Sequence, residues 1–170
     1  ERLAAIEERW ADLATLYDAA AQDAVDGPSQ HRLLLRVAQI AEEELDDVER
    51  AVTFYRRALE LEPDHTLTLD ALERLYSKGE RWAALQEIYR RKAEIAVEAD
   101  EQIKLFSRMA YVYEEMLGDP NEAIACLNEI LAIEASNIEA LRGLDRLYQI
   151  QGAWQELADN LARQLTLAED

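Results

Sequence analysis

One cysteine, three prolines, five glycines and half as many basic as acidic side chains are distributed over 170 residues. With Cys126 alone no intrachain disulfide forms, so packing must hold the fold; a reducing compartment suits such a chain, and the expected location is the cytoplasm. Scarce proline and glycine, and the absence of period-two runs of β-branched or aromatic residues, leave no strand to place. The basic deficit gives a net charge of −18, with no lysine-arginine stripe to offset it. A phosphate backbone would be repelled, which excludes nucleic acid as a direct ligand, and an anionic membrane surface is disfavoured in the same way. No apolar run approaches the ~20 residues that span a bilayer, so membrane insertion is not expected.

Catalytic chemistry is missing as well. No nucleophile stands with a base, no phosphate loop is present, and the chain is expected to be neither an enzyme nor a cofactor binder. His31 and His65 lie at loop-helix junctions without another ligand type at metal spacing, so they are expected to be solvated caps, with no metal site. The run Glu42-Glu43-Glu44 lacks the glycine and alternating oxygens of a calcium loop and reads as a solvated helix face. Cys126, among apolar neighbours and with no nearby cation, is expected to act as a small buried apolar residue.

What is present is helix, repeated. Abundant Ala, Leu, Glu and Arg favour it. Trp10, Trp82 and Trp154 recur every 72 residues, and a shift by that interval aligns the chain without a gap, with about a third of the positions identical. ERWADLATLY from Glu8 matches ERWAALQEIY from Glu80, and the N-terminal Glu1 to Leu3 matches Glu73 to Leu75, so the chain reads as a piece of a longer protein that begins part-way through a unit. Shared register makes the tryptophans hairpin-packing residues rather than ligand contacts.

Each 72-residue period holds two helical hairpins. The breaks lie at Gly27-Pro28-Ser29, with Ser29 as N-cap; at Pro63; at Gly79; and at Gly118-Asp119-Pro120. Asp47 is expected to cap the helix from Ala51 to Pro63, and Asp119/Glu122 and Ser136/Glu139 read as capping boxes. The chain is thus one domain over 1–170: a partial hairpin at 1–26, then hairpins at about 29–63, 64–98, 99–135 and 136–170.

The packing residues then resemble a tetratricopeptide repeat array of the bacterial type. First helices carry Leu34, Val37, Ala38 and Ala41; Leu69, Leu72, Glu73 and Tyr76; Phe106, Met109, Ala110 and Tyr113; and Leu141, Leu144, Asp145 and Tyr148. Ala51, Tyr55, Ala58 and Pro63 complete the second-helix pattern, and Ala123, Leu127, Ile130 and Ala135 follow it loosely. Glu73 and Asp145 replace the small residue of the first helix, and Leu85 and Leu157 replace alanine in the second, so alternate hairpins should be spaced more widely.

The resemblance implies an all-α, right-handed α-solenoid and a non-catalytic scaffold that binds a peptide or protein segment in a concave groove. Carried over by position, the groove comprises Leu35, Gln39 and Glu42; Asp70, Arg74 and Lys78; Ser107, Tyr111 and Glu114; and Arg142, Arg146 and Gln149. Arg74, Tyr111 and Arg146 are the residue types that most often anchor interfaces. Leu35 and Asp70 stand where a chaperone-tail clamp would need cations, which argues against that subtype. Two alternatives are a spacer or self-assembly module joined through its repeat ends, and a regulatory array attached to a catalytic domain outside this segment.

Overall fold

A computed structural model describes residues 2–169, with side chains described for Ile6 and for residues 8–168. Among them are nine α-helices and no strand: α1 Arg2–Asp23, α2 Gly27–Glu43, α3 Val48–Leu61, α4 Thr66–Lys78, α5 Trp82–Ile95, α6 Ala99–Tyr111, α7 Pro120–Ile133, α8 Ile138–Gln151 and α9 Trp154–Glu169. α6 continues as a π-helical segment over Val112–Leu117. The helices form two compact units, residues 1–80 and 81–170.

In the first unit α2 packs between α1 and α3, and α4 packs on α3. The expected stripe of α2 is fully covered, with Leu34, Val37, Ala38 and Ala41 all buried. Ala51 and Ala58 of α3 are wholly inaccessible; their missing side-chain bulk lets the partner helix approach while Tyr55 fills the space between them. Leu69, Leu72 and Tyr76 of α4 close this core. Arg57 ties α3 to α1 through a 3.0 Å bond to Asp18.

In the second unit α6 packs between α5 and α7, and α8 packs between α7 and α9. Ile130, Leu131, Ala140, Leu141 and Leu144 form its core, flanked by Phe106, Leu127 and Tyr148. Each fully buried leucine contributes about 1.5–3 kcal/mol. Asp145, standing where a small residue was expected, accepts hydrogen bonds from Asn160 at 2.8 Å and Gln164 at 2.6 Å, so amides of α9 satisfy the carboxylate. Cys126 is buried, as its neighbours implied.

Helix ends differ from expectation in detail. Asp47 and Asp119 cap α3 and α7 as foreseen, but Asp26 rather than Ser29 caps α2, its carboxylate accepting from the Ser29 N–H at 2.8 Å. That bond, and the Arg32 guanidinium nearby, hold Asp26 below the usual carboxylate range. Asn137 rather than Ser136 caps α8. In both cases position decides: the side-chain oxygen three residues before a free helix N–H accepts from it, Asp26 from Ser29 and Asn137 from Ala140. The tryptophans, expected to pack within hairpins, are covered unequally: Trp10 and Trp82 are half-buried, whereas Trp154, the first residue of α9, is 65% exposed and departs from that expectation.

The 72-residue register extends to the backbone. The four positive-φ residues among those described are Asp46 (φ 50), Glu80 (φ 53), Gly118 (φ 64) and Gly152 (φ 69), two pairs separated by the repeat length. The left-handed turn positions therefore recur in both copies, although only the second copy has glycine at them.

Candidate functional site

Within the first unit, α2 and α4 present the residues expected to contact a partner. Asp70, Arg74 and Lys78 are exposed, Leu35 and Gln39 are half-buried, and the Glu42 side chain is only 11% exposed. Glu42 is covered because two groups converge on it: the Arg74 guanidinium, in an ion pair, and the Tyr55 hydroxyl, which donates to Oε2 at 3.1 Å. Burial and the neighbouring Glu42 carboxylate push the Tyr55 hydroxyl far above its ordinary pKa, so it remains a donor at any physiological pH. The bond to Glu42 raises Arg74 in turn and keeps the guanidinium charged.

The second unit repeats the arrangement on α6, its π-helical continuation, and α8. Glu114 accepts two parallel bonds from Arg146, at 2.5 and 2.8 Å. Glu42 and Glu114 are one period apart, as are Arg74 and Arg146, so each unit carries the same arginine-carboxylate rung between successive first helices. Around it Ser107, Tyr111, Arg142 and Gln149 are exposed, Tyr111 by 57%. Ser107 turns back on its own helix and donates to the Ile103 carbonyl, and Gln39 accepts from Arg36 at 3.4 Å. Arg74 and Arg146 are thus exposed but already paired. Their carboxylates fix the rotamer of each guanidinium while leaving its outer edge in solvent.

The histidines are where sequence reasoning fell short. His31 is buried at 3% exposure, not a solvated cap, and its ring meets that of His65 edge-on at 4.7 Å between centroids. Glu62, at the C-cap of α3, places a carboxylate oxygen 3.5 Å from His31 Nδ1. One ligand atom from each of His31, Glu62 and His65 lies within 4.8 Å of the other two. The sequence signal is the repeat length rather than a short ligand spacing: His31 and His65 are 34 residues apart, so stacking successive first helices brings their starts together.

Three models of the tetratricopeptide repeat match residues 31–65, 68–102 and 106–133, together more than half of the chain. The chain belongs to the tetratricopeptide repeat family. The first match spans most of α2 and all of α3, and the second spans most of α4 and all of α5, so each covers two successive helices of the chain. No curated relative matches the sequence significantly. Solved structures with the same fold include one described as MamA, 16% identical over 94% of this chain and 89% of its own, with a TM-score of 0.50. A second, MamA AMB-1, is 15% identical over 99% and 92%, with a TM-score of 0.51. At such identity the likeness establishes the helical-solenoid class of the tetratricopeptide repeats and nothing about partners. No helix among the described residues is long and apolar enough to cross a membrane.

Proposed function

We propose that this tetratricopeptide repeat chain is a non-catalytic scaffold that holds an extended or helical segment of a partner protein against the first-helix faces of its repeats. Members of the family serve in general as protein-interaction scaffolds, and the observation that supports a role for these faces is the duplicated arginine-carboxylate rung. An arginine held in place before binding loses less side-chain entropy when a partner's carboxylate or carbonyl meets its free edge. Tyr111 adds a broad, partly apolar contact beside the rung of the second unit.

The test compares three proteins in affinity capture: the native chain, a variant carrying Arg74→Gln, Tyr111→Ala and Arg146→Gln, and a variant with both rungs inverted, Glu42→Arg with Arg74→Glu and Glu114→Arg with Arg146→Glu. Circular dichroism should show helicity retained in all three. A partner held by the native chain and lost by both variants supports face binding. Equal capture by all three removes it.

One further observation favours self-association as a second reading. Trp154, Leu161 and Leu165 of α9 are 65%, 50% and 63% exposed and recur at helical spacing. Constant monomer mass in sedimentation up to high concentration would dismiss it.

A further inference from the structure

The junction where α2 begins, α3 ends and α4 begins carries two imidazoles and a carboxylate. His31 stands in the second turn of α2, Glu62 is the C-cap of α3, and His65 is the N-cap of α4. The connection is fixed locally: the His65 N–H donates to the Glu62 carbonyl at 3.2 Å, and the Thr68 and Leu69 N–H groups both donate to the His65 carbonyl. Glu62 and His65 are therefore presented from one tight turn around Pro63, facing the buried ring of His31.

Three features point to a ligand. First, the buried His31 ring turns Nδ1 to the Glu62 carboxylate at 3.5 Å, while its Nε2 has no hydrogen-bond partner among the described residues, and a buried imidazole nitrogen without a partner costs free energy. Second, His65 Nδ1 lies 2.6 Å from the Thr68 hydroxyl, itself 1% exposed. With Nδ1–H donating to that oxygen, the tautomer leaves the Nε2 lone pair free, as a metal-bound histidine requires of its neighbour. Third, the second unit supplies an internal comparison. One period on, the same positions are Ile103, Glu134 and Asn137, and Asn137 donates to Glu134 at 2.6 Å. Packing at this junction is thus satisfied by an isoleucine against the core and an amide-carboxylate bond. Neither imidazole is needed to build it.

We propose that His31, Glu62 and His65 bind a divalent transition cation of the zinc class. Two imidazole nitrogens and one carboxylate oxygen suit Zn(II) rather than Mg(II), which prefers six oxygens. Zinc bonds of about 2 Å need ligand atoms roughly 3.3 Å apart, closer than the 4.8 Å limit seen here. The Glu62 carboxylate already stands 3.5 Å from His31 Nδ1, near that spacing, and its side chain, 46% exposed, has the freedom to follow an ion entering from solvent. With three protein ligands, a fourth position stays open to water or to a side chain of another molecule.

The full chain, stripped with chelator, is titrated with Zn(II) in a calorimeter at pH 7, with Mg(II) as control, and Co(II) is added separately to read the visible absorption of a tetrahedral site. One high-affinity equivalent of zinc, no response to magnesium and the visible Co(II) absorption of a tetrahedral site are expected. Glu62→Gln and His65→Gln, both at accessible positions, should each weaken that equivalent at least tenfold. The pair His31→Ile with His65→Asn installs residues that the second unit already uses at this junction, so helicity should be retained while the zinc equivalent and the Co(II) band vanish. Absence of a high-affinity equivalent in the native chain would overturn the proposal, as would an equivalent of unchanged affinity in these variants, which would assign the zinc to other carboxylates of this acidic surface.

Discussion

Glu80 gives the most direct test of the 72-residue register. It occupies the turn between α4 and α5 with φ +53, and its counterpart one period later is Gly152 at φ +69. An L-residue in the left-handed region is strained by about 1–2 kcal/mol, since Cβ crowds its own carbonyl. Glycine removes that strain but widens the unfolded ensemble, which offsets about 0.4–1 kcal/mol. The Glu80 N–H bond to the Ser77 carbonyl belongs to the backbone and survives the change. Glu80→Gly should therefore stabilise by about 0.5–1 kcal/mol, or about 1–4 °C in the melting midpoint at this chain length. The reciprocal Gly152→Ala should destabilise by a similar amount. A Cβ there would meet only the Trp154 indole nitrogen, at an ordinary 3.9 Å, so backbone strain alone decides the sign. Thermal melts followed at 222 nm would show both effects. A midpoint that falls with Glu80→Gly, or that ignores both substitutions, would refute the argument that these turns share a strained conformation.

Leu72, wholly buried in α4, should lose about 2–5 kcal/mol on replacement by alanine. Trp154→Ala, despite the larger side chain, should lose less than about 1 kcal/mol because 65% of it is already in solvent; equal losses in urea melts would show that the exposures are misassigned. Burial pushes the Cys126 thiol from about 9 up to about 11. Ellman's reagent at pH 8 should therefore react with the native protein far more slowly than with the urea-unfolded chain, and equal rates would contradict the burial. Because the unfolded thiol ionises first, the contribution of Cys126 to stability is complete below pH 9 and declines as the pH rises toward 11.

Much of the fold was legible because a repeat writes the same packing problem several times. Leu34, Val37, Ala38 and Ala41, and Ala51, Tyr55 and Ala58, announced their faces by helical spacing, and every one of them is buried. The bounds of α4, from Thr66 to Lys78, follow from Pro63 and Gly79, residues that end helices through their own covalent geometry. Caps were less legible: Ser29 reads as the cap of α2 from its place after Gly27-Pro28, but the Asp26 carboxylate is the one that reaches a free N–H once the chain has turned.

The residues of the candidate faces could be numbered from the sequence, but their electrostatic state could not. Glu42 and Arg74 are 32 residues apart, and only the stacking of α2 beside α4 turns two charges that read as solvated into a rung with a covered carboxylate. The same holds for Glu114 and Arg146. His31 and His65 show the limit most clearly. Local context placed each at a loop-helix junction, where histidines are ordinarily hydrated. Burial, the approach of Glu62 and the unpartnered Nε2 arise from three helix ends meeting in space. Helical class and repeat length are properties of neighbours along the chain, set by propensity and periodicity. Which charges are neutralised, and which nitrogens lose water without gaining a partner, is decided by contacts between residues more than thirty positions apart, and those exist only once the helices have packed.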